Sequence, residues 1–293
     1  MTVTTRRNVV GAAVAIAASA VVAPRIAFAQ HDHATPEAAG SLLGELGLPV
    51  FELTITADGI QAPAEFAAGT ILLRASNQSE AYASVQFVQL PEGVTEADLE
   101  TVLQPEAGIP EFAHESVMNG GAELDPGMTV EVAFDLTAGD WYLLNLSETP
   151  SIAPLTVTGD PVIVDIPATV DVEMSHHDFV LPADIAAGPA IWKFTNVDPV
   201  LHHMVLFSYP EAISEDDALA VLMAQEGMAS PPAGIDPSLV GYAGGTALLS
   251  TDQVMYQEFD LAPATYFAVC FISDPGSDVP HVAQGMIEIF TVA

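Results

Sequence analysis

The chain has 293 residues, half of them apolar, and carries 39 Asp and Glu against 5 Lys and Arg, a formal net charge of −34 at pH 7. Such a field repels nucleic acid and anionic membrane, which excludes roles built on either, and it speeds encounter with a cationic protein in a salt-dependent way. The apolar content is ample for two domains, and a single cysteine, Cys270, excludes an internal disulfide framework.

At the N-terminus, "TTRRNVVGAAVAIAASAVVAPRIAFAQ" runs from Arg6 and Arg7 through an apolar stretch to Ala27-Phe28-Ala29. This is the pattern of a twin-arginine export signal over residues 1–29, cleaved before Gln30, and it predicts a periplasmic, cell-envelope or extracellular protein. The apolar core Val9 to Val22 falls short of the roughly 18 residues of a spanning helix, so no stable membrane insertion is expected. Cleavage leaves Arg74 and Lys193 as the only Arg and Lys; acidic, lysine-poor surfaces also suit saline or acidic surroundings. Residues 30–47 follow as a flexible tether, opening with the small, polar "QHDHATPEAAG".

From residue 48 the sequence is written twice. "AAGTILLRASN" (67–77) superposes on "AAGPAIWKFTN" (186–196), and "LPEGVTEADLETVL" on "YPEAISEDDALAVL", at an offset of 119. Farther on, "AFDLTAGDWYLLNL" meets "EFDLAPATYFAVCF" at an offset of 125. The reading is an internal duplication, residues 48–159 and 160–293, with a boundary near "TGDP" (158–161). Short alternating runs such as "TVEVAF", "AIWKFT" and "MIEIFTV", punctuated by Gly, Pro, Asn and Asp, predict an all-β chain of two tandem Greek-key β-sandwiches. One short helix per copy is predicted between strands, opened by Thr95 or Ser214 as N-cap with acids in the first turn.

The duplication is an internal control, because chemistry present in one copy alone is not a requirement of the fold. Ala83 stands where His202 stands, and Asn145 where Cys270 stands. "LHHMVLF" and "CFISDPGSDVPHVAQGM" bring together His202, Cys270, His281 and Met286 in the second copy only. Two imidazoles, a thiolate and a thioether are the ligand set of a type 1 copper site, a trigonal His₂Cys plane with a weak axial Met. The aligned strand in copy one puts 83, 85 and 87 inward, which selects His202 over His203 as ligand and turns His203 to the opposite or rim-facing side.

On these residues the sequence resembles the cupredoxin family, plastocyanin-like proteins and the type 1 domain of copper nitrite reductases included. "KFTNVDPVLHHMVLF" matches its early His after a strand ending in Asn, and Cys270-loop-His281-x4-Met286 its late motif; "FVLP" (179–182) is similar to its opening strand and turn. The resemblance of fold covers both copies and that of site only the second. It implies cupredoxin-like sandwiches, one bound copper, one-electron transfer to a redox partner such as a cytochrome or another copper protein, and His281, framed by Val279 and Pro280, as electron port.

His203, His176 and His177 are further candidate metal ligands. A nitrite-reductase-type enzyme would need one of them to hold a second copper at an oligomer interface, and a copper carrier or storage protein is a third class. The His-x-His form of multicopper oxidases is met only by His31-Asp32-His33, in the tether. A Cys-His hydrolase pair lacks an oxyanion loop and a third orienting residue. Asn196, aligned with Asn77, reads as a shared turn residue; His114 has no nameable partner, and Met223, Met228 and Met255 read as core or loop filling.

Overall fold

The computed structural model describes residues 41–103, 109–147, 150–225 and 230–293. Residues 1–29, expected to be an export signal, and His31, His33 and Met228 lie outside the described residues. The first half runs β1 (Val50–Thr56), β2 (Gly59–Gln61), β3 (Glu65–Asn77), β4 (Ala83–Gln89), α1 (Glu96–Val102), α2 (Glu111–Glu115), β5 (Val117–Leu124), β6 (Thr129–Leu136), β7 (Gly139–Asn145) and β8 (Ser151–Val162). The second runs β9 (Val170–Ser175), β10 (Asp178–Val180), β11 (Gly188–Asn196), β12 (Val205–Tyr209), α3 (Glu215–Gln225), β13 (Gly241–Gly245), β14 (Val254–Leu261), β15 (Ala264–Val269), α4 (His281–Gln284) and β16 (Ile287–Val292). The strand order is the same in both halves.

Period-two alternation drives the pairing. Phe51, Leu53 and Ile55 of β1, like Val170, Val172 and Met174 of β9, point inward while their neighbours face water. In the first half β1 pairs parallel with β3 and β3 antiparallel with β6, forming one layer; β5-β4-β7-β8 forms the other. The second half repeats this as β9-β11-β14 and β13-β12-β15-β16. These are the two all-β sandwiches expected from the sequence. The helix starts are also where the caps put them: the Thr95 N–H donates to Asp98 Oδ2 at 2.8 Å, and Ser214 Oγ accepts from the Asp217 N–H at 3.2 Å. A cap of this kind contributes about 1 kcal/mol.

Four features depart from the sequence reading. Each half has a second, single-turn helix, α2 and α4, beside the one expected. β8 continues through 158–161 because β3 pairs with it in parallel up to Val162, so the stretch without strand falls at 163–169. At the bend of β3, Gly69 (φ 132°) passes so close to β8 that a Cβ would lie 2.5 Å from the Val162 carbonyl oxygen. Of the tether, residues 41–47 are docked: the Leu42 N–H donates to Glu258 Oε2 (2.7 Å) and Leu43 is buried with Ile166, Ile191 and Tyr256. Finally, the halves are not beads on a string. β6 pairs antiparallel with β14 through Phe134↔Met255, Ala133↔Tyr256 and Val132↔Gln257, and one apolar core runs through both.

β12 is buried on both faces. Met204 and Leu206 enter the core between the layers, whereas Val205 and Phe207 lie under α3 with Ala218, Val221 and Leu222. This double cover determines what surrounds the histidines at its start.

Candidate metal centre

His202 sits in the segment leading into β12, held by a bridge to Leu249: its N–H donates to the Leu249 carbonyl (3.2 Å) and its carbonyl accepts from the Leu249 N–H (2.8 Å). Asn196 fixes that segment, donating through Nδ2 to the carbonyls of Val200 (2.8 Å) and Leu249 (2.7 Å). Asn77 makes the same pair of bonds, to Ala81 (2.8 Å) and Leu124 (3.0 Å). Asn196 is therefore a shared turn residue, as its alignment predicts.

Cys270 directly follows β15, and the ten residues before His281 fold back as a loop closed by the Ser273–Pro280 bridge. Backbone bonds bring the two ligand candidates together: His281 N–H to the Ile272 carbonyl (2.7 Å) and Val282 N–H to the Cys270 carbonyl (2.8 Å). One turn of α4 then ends at Gly285 (φ 107°), and the Met286 N–H donates to the His281 carbonyl (2.9 Å), returning Met286 to the core beside Cys270. The length of this loop does not displace His281.

The result is a compact donor triangle. His202 Nδ1 and His281 Nδ1 lie 3.7 and 3.5 Å from Cys270 Sγ and 3.1 Å from each other, and all three side chains are fully buried. A point equidistant from the three atoms lies about 2.0 Å from each, close to metal–imidazole and metal–thiolate bond lengths. The donor set thus fits a metal ion of thiophilic or borderline character. Burial pushes the Cys270 thiol up to about 12, against the backbone N–H groups of His203 and Ile272, which favour the thiolate. Burial holds both His202 and His281 down to about 4, so at neutral pH both rings are uncharged and able to donate a lone pair.

Each ring has a carboxylate on its outer side. His281 Nε2 lies 3.3 Å from Asp274 Oδ1; His202 Nε2, which has no hydrogen-bond partner, lies 3.9 Å from Asp198 Oδ2. Carboxylates in this position orient ligand imidazoles and raise their basicity. The hairpin turn between β9 and β10 closes over both, with His176 and His177 in the left-handed region (φ 47° and 60°). The His176 side chain is 91% exposed; its backbone N–H donates to Asp198 Oδ2, and its Nδ1 lies 3.4 Å from the same oxygen. His177 is only 27% exposed; it reaches Asp274 (3.5 Å) and packs its ring 4.4 Å from that of His281.

One expectation is narrowed here and one corrected. His203 turns to the opposite side from His202, as one of the two expected places has it, and not to the rim: it is buried, its ring against Phe271 and its Nε2 accepting the Phe271 N–H (3.0 Å), because α3 covers that face of β12. Burial holds it down to about 3. His281 is not an open port either, since His177 and Asp274 cover its outer edge; Val279 is exposed but Pro280 is buried. The carboxylates Asp198 and Asp274 carried no signal in the sequence beyond their nearness to His202 and Cys270.

Neither a family model nor a curated protein sequence matches the chain. Among solved structures, auracyanin B is 25% identical over 44% of this chain and 93% of its own, with a TM-score of 0.28. The dithionite-reduced auracyanin of Roseiflexus castenholzii is 19% identical over 43% and 99%, TM-score 0.28. A copper nitrite reductase from Nitrosomonas europaea is 12% identical over 84% of each chain, TM-score 0.24.

Proposed function

We propose that this chain is an exported one-electron carrier that holds one copper through His202, Cys270 and His281, with Met286 as weak axial ligand. The observation that carries this reading is the buried triangle of two imidazole nitrogens and one sulfur at 3.1 to 3.7 Å, in the one half whose sequence has the residues for it. Copper bound there would supply the Cu(II)/Cu(I) couple. The protein's part is to keep the geometry fixed through the cycle. The bridge to Leu249 fixes the His202 backbone, the α4 turn fixes His281 to the Cys270 strand, and the N–H groups aimed at sulfur stabilise a thiolate in a dry site. Fixed ligands reduce the rearrangement that slows electron transfer.

His203, occupied by the Phe271 N–H, has no Nε2 lone pair to offer a second copper, which weighs against a nitrite-reductase-type centre built on it. The redox partner is a cationic protein, a cytochrome or another copper protein, met outside the cytoplasm; the supporting observations are the acidic composition and the residues 1–29 pattern. Its association rate should fall as salt is raised.

The test is the visible spectrum of the mature protein with one equivalent of Cu(II), beside Cys270→Ser. An intense thiolate-to-copper band, absent from the variant, is the expected result. A colourless protein that takes up no copper would overturn the proposal.

A further inference from the structure

We propose a second, outer cation site at the mouth of the buried centre, formed by His177, Asp274 and the outer nitrogen of His281, through which Cu(II) enters. It rests on the inner-site reading only for its role as an entrance. The three donors are mutually close: Asp274 Oδ1 lies 3.3 Å from His281 Nε2 and 3.5 Å from His177 Nε2, and all three ligand atoms fall within 4.8 Å of one another. A tetrahedral ion with bonds of about 2.0 Å sets its ligand atoms roughly 3.3 Å apart, so the carboxylate already stands at coordination distance from both rings. Two imidazoles and a carboxylate suit Cu(II) above the other divalent first-row ions.

Two features of the chain gather around this cluster. His176 and His177 are the two central residues of the β9–β10 hairpin, both in the left-handed region that a tight two-residue turn favours, and the turn lays His177 against Asp274 and the His281 ring. The corresponding turn of the first half, Ala57-Asp58, has neither the histidines nor the left-handed conformation. From the first half, α2 brings His114 within electrostatic reach of Asp274, with its Nδ1 enclosed and unpaired. Thus each half has an imidazole within electrostatic reach of one carboxylate, beside a centre that has no exposed ligand.

The shared ring makes the two sites successive. His281 faces the inner triangle with Nδ1 and the outer cluster with Nε2, and a neutral imidazole has one lone pair. An ion held outside through Nε2 requires the proton on Nδ1. Transfer inward moves that proton to Nε2, where Asp274 accepts it in a hydrogen bond, and releases the Cys270 thiol proton to solvent as the copper–sulfur bond forms. Copper stays Cu(II) throughout, so no oxidant or reductant is needed.

The test separates the sites. In His202→Ala/Cys270→Ser the inner triangle is gone, and titration with Cu(II) followed by electron paramagnetic resonance should detect an ion with nitrogen ligands and no thiolate band. Adding His177→Ala should weaken its binding at least tenfold, a difference to which the tail histidines contribute nothing. Equal binding with and without His177 overturns the site. Should the double variant not fold, filling of the intact chain decides the matter: His177→Ala should slow the rise of the thiolate-to-copper band about tenfold while reaching the same copper content, and an unchanged rate overturns the entrance. If the unmutated chain shows no such band while the double variant still binds Cu(II) through His177, the outer site stands and the electron-carrier reading falls.

Discussion

Cys270 and Asn145 close the same strand in the two halves, and both accept the backbone N–H of the residue after the aligned ligand position: Ser84 N–H donates to Asn145 Oδ1 at 3.3 Å, and His203 N–H is aimed at Cys270 sulfur. An amide oxygen in one half does the acceptor's work of a sulfur in the other, so the scaffold tolerates the swap and the metal chemistry rests on side chains alone. Comparison of the two copies singled out His202, Cys270, His281 and Met286, of which the structure brings the two imidazoles and the sulfur into one triangle. It could not reveal that His203 serves the strand, because alternation within β12 says nothing of the helix covering its other face. His203→Leu should leave the part-buried Phe271 N–H without its acceptor and cost about 1–3 kcal/mol in chemical denaturation, whereas His203→Gln, which offers an oxygen, should recover most of it. At the axial position, Met286→Leu should keep the thiolate band and raise the reduction potential by about 60 mV or more, a tenfold preference for Cu(I), because removing a thioether leaves the oxidised ion short of a donor.

At the scale of elements, the first half holds the segment that holds His202. Gln86 on β4 is buried where the second half has Val205; its Nε2 donates to the Leu248 carbonyl (3.1 Å) and its Oε1 accepts from the Leu248 N–H (2.8 Å), next to the Leu249 that pairs with His202. Ser250 Oγ accepts from the Met118 N–H (2.9 Å) and donates to the Ser116 carbonyl (2.8 Å). Gly121 of β5 (φ 147°) lets the halves touch here, since a Cβ would stand 2.0 Å from the Val85 carbonyl oxygen and 2.9 Å from the Ala247 Cβ. A polar residue in the middle of "ASVQFVQ" reads in sequence as one outward position of a strand, so this clasp was not legible. Gln86→Leu, which strands a buried N–H and several carbonyls, should lower stability by about 2–4 kcal/mol in urea. It should also weaken copper retention against a chelator, although no atom of Gln86 touches the site.

For the whole molecule, the repeat predicted two sandwiches but not their fusion: strand edges leave no mark in a sequence, and β6 and β14 read like any other alternating runs. His202 and His281 at about 4 and His203 at about 3 lie well below the roughly 6.5 of an unfolded histidine, in each case through burial first. Between those values the unfolded chain binds protons that the folded chain refuses. The stability of the metal-free protein is therefore full above about pH 6.5 and drains as the pH falls toward 4, each histidine contributing on the order of 1.4 kcal/mol per pH unit inside the window. A series of urea midpoints from pH 7.5 to 5 should fall on this account, and in His203→Gln the fall should be shallower by about one histidine's share. An identical slope in that variant would mean that His203 is not refusing a proton. The same series on Gln86→Leu distinguishes local from global protection. If burial of the histidines depends on the first half, loosening the clasp should flatten the slope as it lowers the midpoint; if the second half buries them unaided, the two curves should run parallel.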